Sequence, residues 1–104
     1  MPKGSPDSDL EVVTKKSART QVPKQYKVYL LNDDYTTMDF VVHVLESIFL
    51  KSPAEATQVM LQVHRQGKGM AGVYSKQIAE AKIEMVHQRA QHEGYPLRCT
   101  MEEE

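Results

Sequence analysis

Hydrophobic and polar residues recur along this chain with spacings that predict three strands and three helices. Residues 26–31 are rich in strand-forming side chains and end at the turn-forming run Asn32-Asp33-Asp34. A first helix is predicted to begin at Thr36, with Asp39 three residues later completing a capping box. Apolar residues at helical spacing predict one buried face for this helix, and they are Met38, Val41, Leu45 and Ile48.

The start of a second helix is marked by Ser52 as N-cap, Pro53 at the first helical position and Glu55 at the third. This helix is predicted to run to about Arg65 and to end at Gly67. We expect residues 67–72, which include three glycines, to form a flexible connection that leads into a short strand at 72–74.

A third helix is predicted to begin at Ser75 and to end at Gly94-Tyr95-Pro96. Its buried stripe is predicted at Ala79, Ile83, Val86 and Ala90. Residues 97–101 are predicted to form a last strand, followed by three exposed glutamates. This order of elements predicts an α+β fold, a two-layer sandwich of three helices on one face of a small three-stranded, mostly antiparallel sheet.

Length and composition place limits on the class of protein. The chain has 104 residues, which fits one domain, and its net charge of -1 gives no global attraction to nucleic acid. The single cysteine, Cys99, excludes a disulfide framework and a four-cysteine zinc site, so we expect a reducing, cytoplasmic location. No run of apolar residues approaches the length of a membrane span, so no membrane partner is expected.

The two ends of the chain differ in composition. Residues 1–24 contain three prolines, five basic and three acidic residues and no aromatic residue, so they are predicted to form a flexible N-terminal extension. Residues 25–104 contain eight basic and eleven acidic residues and are predicted to form the folded domain. Order along the chain is therefore expected to begin near Gln25.

Candidate chemistry is concentrated at two places. The run Asn32-Asp33-Asp34 either caps a helix in a solvated loop or forms a cluster of acceptors suited to a metal ion or an ammonium group. His64 lies one turn after Met60 on the second helix, so both side chains share a face. The segment Gly67-Lys68-Gly69 lacks the spacing of a phosphate-binding loop. No catalytic arrangement, metal site or cofactor motif is indicated, and an enzyme is not expected.

Several blocks together resemble the bacterial ClpS adaptors. The run Leu-Asn-Asp-Asp-Tyr-Thr-Thr-Met at 31–38 and the run Met-Leu-Gln-Val-His-Arg-Gln-Gly-Lys-Gly at 60–69 carry most of the resemblance. Shorter matches lie at 72–74, 79–82 and 96–100, so the resemblance covers residues 26–101. It implies the α/β sandwich of the C-terminal domain of the ribosomal stalk protein, in agreement with the predicted order of elements.

The resemblance also implies a function. Such adaptors bind proteins whose first residue is Leu, Phe, Tyr or Trp, through the free α-amino group and the side chain. They deliver these proteins to the N-terminal domain of the ClpA unfoldase, an AAA+ protein that feeds the ClpP peptidase. No cofactor and no nucleic-acid partner are implied.

Roles for individual residues follow from the same resemblance. Asn32, Asp34 and His64 would hold the α-amino group, with Asp33 beside them. The unfoldase contact would include Glu80 and Lys82, both expected on an exposed helix face. The walls of the side-chain pocket would be Leu30, Leu31, Thr36, Met38, Val41, Met60, Val63 and Leu97.

One position departs from the family. Thr37 stands where the family commonly has proline, directly before Met38, which is expected to exclude β-branched first residues. Threonine can cap a helix in place of a proline that stiffens its first turn. We therefore expect Thr37 to affect which first residues are accepted, and not how they are bound.

Two alternatives of other classes stay open from the sequence. Asp33 and Asp34 could hold Mg²⁺ in a small enzyme or phospho-acceptor, although the strand and helix order is not that of a doubly wound fold. A structural, ribosome-associated domain is suggested by analogy of fold alone, and the acidic composition of residues 25–104 does not favour it.

Overall fold

The computed structural model describes residues 23–104. Of the predicted extension at residues 1–24, Pro23 and Lys24 are described, and the rest of that prediction lies outside the described residues. The elements in chain order are β1 (Gln25–Leu31), α1 (Met38–Ser47), α2 (Pro53–Gln66), β2 (Lys68–Ser75), α3 (Lys76–Glu93) and β3 (Arg98–Glu103).

The three strands form one antiparallel sheet in the order β2-β1-β3. In the register, Leu31 of β1 lies between Lys68 of β2 and Arg98 of β3. An irregularity in the β1–β2 pairing falls between Val28 and Tyr29. The architecture confirms the predicted α+β fold with three helices and a three-stranded antiparallel sheet.

The hydrophobic core lies between the sheet and the helices. Val28 and Leu30 of β1 are fully buried, while the residues that alternate with them on the strand are half-buried. This alternation is expected when one face of a sheet is packed against helices. The helices contribute the larger part of the core, including Phe40, Val41, Val44, Leu45, Ala56, Val63, Ala79, Val86 and Ala90.

The ends of α2 are those that its sequence predicts. The Ser52 hydroxyl accepts a hydrogen bond from the Glu55 amide at 3.2 Å, and the Ser52 amide donates to the Glu55 carboxylate at 3.1 Å. Gly67 ends the helix with a φ of 92°, a left-handed conformation that glycine adopts without steric cost. The capping box and the glycine end are thus confirmed.

The start of α1 differs from its prediction by one residue. Thr37 is the N-cap, and its side-chain oxygen accepts a hydrogen bond from the Phe40 amide at 3.1 Å. The predicted cap, Thr36, instead donates its hydroxyl to the Asp33 carboxylate at 2.7 Å. The predicted box with Asp39 is wrong because Asp33 binds Thr36 within the preceding loop.

The strand β2 is longer than predicted. The glycine-rich segment expected to be a flexible connection belongs to the strand, which pairs with β1 from Lys68 onward. A Cβ atom at Gly69 would lie 2.8 Å from the Val63 side chain and 2.9 Å from the Val59 carbonyl oxygen. Glycine occurs here because the strand approaches α2 closely, and not because the chain needs flexibility.

The C-terminal elements largely follow their predictions. Ser75 is the N-cap of α3, although its side chain makes no capping hydrogen bond, and Gly94 ends the helix with a φ of 81°. Ile83 is only half-buried, in contrast to its neighbours on the predicted stripe. The strand β3 continues to Glu103, so two of the final glutamates belong to the sheet. None of the helices within residues 23–104 has the length and apolar character needed to cross a bilayer.

Candidate functional site

A cavity of about 420 Å³ lies between the loop that follows β1 and the facing sides of α1 and α2. Three segments that are distant in sequence form it: the loop, the first turn of α1 and the C-terminal half of α2. The residues that line it are Asn32, Asp33, Asp34, Tyr35, Thr36, Thr37, Met38, Val41, Met60, Val63 and His64.

The polar end of the cavity is formed by Asn32, Asp34 and His64, all of which are exposed. The Asn32 amide donates a hydrogen bond to the Gly67 carbonyl at 2.9 Å, which ties the start of the loop to the end of α2. His64 lies in the last turn of α2, and this tie therefore brings the loop acceptors to the imidazole. An amide oxygen, a carboxylate and a histidine nitrogen can all accept hydrogen bonds from one cationic donor.

Asp33 organises the loop. Its Oδ1 accepts hydrogen bonds from the Tyr35 amide at 2.8 Å and the Thr36 amide at 2.7 Å, and its Oδ2 accepts the Thr36 hydroxyl. Partial burial raises the pKa of Asp33, but these hydrogen bonds outweigh it and hold the pKa below the ordinary value of 3.8. The Asp33 carboxylate thus supports the loop geometry, and Asp34 is the carboxylate with fewer local partners.

The apolar end of the cavity is formed by both helices. Val41 of α1 and Val63 of α2 are buried, and Met60 is half-buried one turn before His64. Met38, at the start of α1, also lines the cavity and is 44% exposed. The cavity therefore has a hydrogen-bonding end and a hydrophobic end that share the Met60–His64 turn.

Three of the predicted wall residues do not line this cavity. Leu30 and Leu97 are buried in the core, with exposures of 0% and 3%. Leu31 points to the opposite side of its strand from Leu30, since successive strand residues alternate between faces. It lines a neighbouring cavity of about 380 Å³ together with Pro96 and Arg98.

Two lining residues were not predicted as part of the site. Tyr35 is 77% exposed and lines both cavities, and Thr37 lines the first while capping α1. The sequence signal that could have identified them is their position inside the run from Asn32 to Met38, because consecutive residues of a loop that borders a cavity tend to line it together.

The predicted unfoldase contact falls on α3 with one correction. Glu80 is exposed, as expected. Lys82 is half-buried, and its ammonium donates a hydrogen bond to the Ile48 carbonyl at 2.7 Å while lying near the rings of Phe49 and Tyr74. The expectation that Lys82 is simply exposed is therefore wrong, because this side chain joins α3 to the end of α1.

The alternative of a magnesium-dependent enzyme is not supported by the site. The Asp33 carboxylate is used by its own loop, which leaves Asp34 without the paired carboxylate that the hypothesis requires. Within residues 23–104, no group of three or more His, Cys, Asp or Glu side chains is arranged to hold a metal ion. The arrangement is suited instead to a ligand with an ammonium group beside an apolar group.

Comparisons with known proteins point to one family. Residues 21–100 match the family model for the ATP-dependent Clp protease adaptor protein ClpS. The chain is 54% identical over 100 residues to the ATP-dependent Clp protease adapter protein ClpS of Desulfatibacillum aliphaticivorans, covering 95% of this chain and 96% of that protein. It is 48% identical over 103 residues to the adapter of the same name from Nitratidesulfovibrio vulgaris, covering 99% of each chain.

A solved structure is also similar. It is that of Agrobacterium tumefaciens ClpS2 bound to L-phenylalaninamide, with a TM-score of 0.76 and 41% sequence identity. The match covers 79% of this chain and 99% of the other.

Proposed function

Because the chain belongs to the ClpS family of Clp protease adaptors, it is an adaptor and not an enzyme, and we propose that its cavity binds the first residue of proteins destined for degradation. The ligand in this proposal is a protein with a free α-amino group and Leu, Phe, Tyr or Trp as its first residue. The observation that carries the proposal is that one cavity joins an acceptor cluster to an apolar wall.

The α-amino group is assigned to the polar end. An ammonium group loses its hydration when it binds, so it needs acceptors with negative charge to offset that cost. Asn32, Asp34 and His64, which all line the cavity, would supply an amide oxygen, a carboxylate and an imidazole nitrogen. An acetylated N-terminus has no positive charge and fewer donors, so it should not satisfy this cluster.

The side chain of the first residue is assigned to the apolar end, against Val41, Met60 and Val63. Burial of a leucine or phenylalanine side chain contributes roughly 2–3 kcal/mol. Charge-assisted hydrogen bonds from the amine contribute roughly another 2–4 kcal/mol. The sum of about 4–7 kcal/mol corresponds to dissociation constants from about 1 mM to about 10 μM, which suits capture followed by release.

Selection among possible first residues is assigned in part to Met38. Its side chain lines the cavity and is 44% exposed, and we place it beside the backbone of the bound first residue. A branch at Cβ, as in Val or Ile, would meet Met38 and is therefore disfavoured. Methionine is flexible, so the same wall accepts Leu and the larger aromatic side chains.

The similar ClpS2 structure supports the choice of ligand. That protein is bound to L-phenylalaninamide. This molecule has a free α-amino group and an aromatic side chain, and its amide resembles the first peptide bond of a protein.

Delivery to the N-terminal domain of the ClpA unfoldase is also part of the proposal, with cytoplasm as its location. The contact is assigned to the exposed side of α3 around Glu80, with Lys82 holding the helix in place beside it. Residues 1–24 are proposed to be engaged by the unfoldase during the transfer.

Fluorescence anisotropy with two short labelled peptides tests the binding step. Both begin with Leu, and one carries an acetyl group on its α-amino nitrogen. We expect the free peptide alone to bind, and we expect His64→Ala to weaken it by about tenfold or more. His92→Ala is a matched control, since His92 is an exposed histidine at the end of α3. Equal binding of the two peptides would contradict recognition of the amine.

A further inference from the structure

Helix α1 lies between two cavities. Its Met38 and Val41 side lines the candidate site together with α2. Another cavity, of about 350 Å³, lies between α1 and α3, and Phe40 and His43 line it from the other side of α1. We call it the α1–α3 cavity, and Thr37 at the start of α1 lines both. The position of α1 between α2 and α3 therefore sets the width of the candidate site.

The two ends of α1 are joined to the later part of the chain. The Lys82 ammonium of α3 donates a hydrogen bond to the carbonyl of Ile48, directly after α1. Near the other end, the ring of Tyr95 packs on that of Phe40, with ring centres 4.8 Å apart. These contacts hold α1 on the side that faces the α1–α3 cavity.

The middle of α1 is held by Arg89 of α3, which is half-buried. Its Nη1 lies 3.2 Å from Nε2 of His43 and 3.2 Å from Oγ of Ser47. We call these two contacts the Arg89 clamp. A guanidinium group has donors and no acceptor, so the imidazole accepts at Nε2 and carries its proton on Nδ1. The Arg89 clamp therefore requires a neutral His43.

A proton on Nε2 of His43 would break the Arg89 clamp, because it removes the accepting lone pair and places two positive charges side by side. The other titratable or charged groups around His43 are Asp39, Glu93 and Tyr95, which line the same cavity, and Glu46, one turn later on α1. Asp39 lies one turn before His43, and Glu93 one turn after Arg89. Each carboxylate can therefore attract one of the two separated cations.

We propose that the Arg89 clamp keeps the candidate site wide enough for an aromatic first residue and that protonation of His43 narrows it, and this proposal rests on the function proposed above. Val41 of α1 and Met60 and Val63 of α2 line the site. Apolar walls favour mutual contact, because contact removes apolar surface from water and restores dispersion attraction. The Arg89 clamp opposes this closure by holding α1 toward α3. Arg89 is thus a positioning residue that acts through α1.

The largest first residues depend most on this width. A leucine side chain is smaller than that of phenylalanine, so a modest approach of α1 to α2 still leaves room for it. A narrowing that excludes the equivalent of one methylene group would weaken binding of a Phe-first protein by about fourfold relative to a Leu-first protein. The ratio of these two affinities therefore reports the width of the site.

The test uses fluorescence anisotropy with two labelled peptides that are identical except for the first residue, which is Phe in one and Leu in the other. Both affinities are measured at about pH 8 and about pH 5.5, on either side of the pH at which an imidazole ordinarily titrates. The peptides carry the same α-amino group, so protonation of His64 changes both affinities alike and cancels in their ratio. For the wild type, we expect the preference for Phe over Leu to fall by about fourfold at the lower pH.

Three variants connect this change to the Arg89 clamp. Arg89→Met keeps an unbranched stem but removes the donors, so it should show the lower ratio already at about pH 8. His43→Gln supplies an amide oxygen that accepts from Arg89 without titrating, so its ratio should stay high at both pH values. Lys76→Met is the matched control, since it removes one positive charge at an exposed position of α3 and should behave as the wild type.

The outcomes separate this proposal from the one it rests on. If neither peptide binds at the higher pH, the proposed function fails, and this proposal fails with it. If both bind but the wild-type ratio is the same at both pH values, or if the ratio of His43→Gln falls as that of the wild type does, the Arg89 clamp does not set the width. An Arg89→Met protein that is less stable in urea but keeps the wild-type ratio would make Arg89 a structural residue alone and would also overturn the proposal.

Discussion

Replacement of Gly69 by alanine is expected to weaken both the fold and the binding site, because β2 packs against α2 at this residue. A Cβ atom at Gly69 would lie 2.8 Å from Cγ2 of Val63 and 2.9 Å from the carbonyl oxygen of Val59. Carbon atoms in good contact are about 3.5–4.0 Å apart, so the strand and helix must separate by up to about 1 Å. The Val59 oxygen is helix backbone, which cannot turn aside as a side chain can.

The expected cost follows from this overlap. Overpacking of a core site by one methyl group costs about 1–3 kcal/mol. The same displacement moves Val63, which lines the cavity, and His64, which follows it. A loss of about 1 kcal/mol at the site would weaken peptide binding by about fivefold.

Two measurements check this prediction. Urea unfolding followed by circular dichroism gives the free energy of unfolding, and anisotropy with a Leu-first peptide gives the affinity. Gly94→Ala is the control, since Gly94 has a φ of 81° but an added Cβ atom there would meet nothing within 4 Å. That variant should lose about 1 kcal/mol of stability through backbone strain and keep its affinity. A Gly69→Ala protein with unchanged stability and affinity would refute the close packing of β2 on α2.

Three further substitutions have defined expected outcomes. Asp33→Asn should lower stability at pH 7, and its difference from the wild type should disappear as the pH falls below 3.8 through the lowered pKa of Asp33, which urea titrations across this range would show. Lys82→Met removes the hydrogen bond to the Ile48 carbonyl and should cost about 1–2 kcal/mol, whereas Lys76→Met, at an exposed site, should stay within about 0.5 kcal/mol of the wild type in the same unfolding assay. Met38→Ala should allow Val-first and Ile-first peptides to bind in the anisotropy assay, and continued rejection of both would remove Met38 from the selection of the first residue.

Local signals in the sequence predict the structure correctly wherever a short segment determines its own conformation. The capping box at Ser52 and the glycine end at Gly67 depend on residues within one or two turns, and both are as predicted. The buried valine and alanines of α3 follow from helical spacing in the same way. The predicted start of α1 differs from the observed one by one residue because two adjacent threonines compete for the N-cap position, and the Asp33 side chain decides between them.

The remaining differences depend on contacts between separate elements. The glycine-rich run after α2 has the composition of a flexible loop, but β1 pairs with it and α2 packs against Gly69. Lys82 has the pattern of a surface charge, but the end of α1 supplies the Ile48 carbonyl as its partner. In both cases the partner belongs to another element, and no local pattern identifies it.

The order of the elements, the ends of α2 and the residue types that meet in the candidate site all follow from the amino-acid sequence. Which of those residues share a cavity follows only from the folded chain, because strand alternation sends Leu30 to the core and Leu31 to a separate cavity. The placement of Lys68 and Arg98 on either side of Leu31 has the same origin, because the strand register sets it. Charge and hydrophobicity are properties of single residues, whereas proximity depends on the register of strands and the packing of helices.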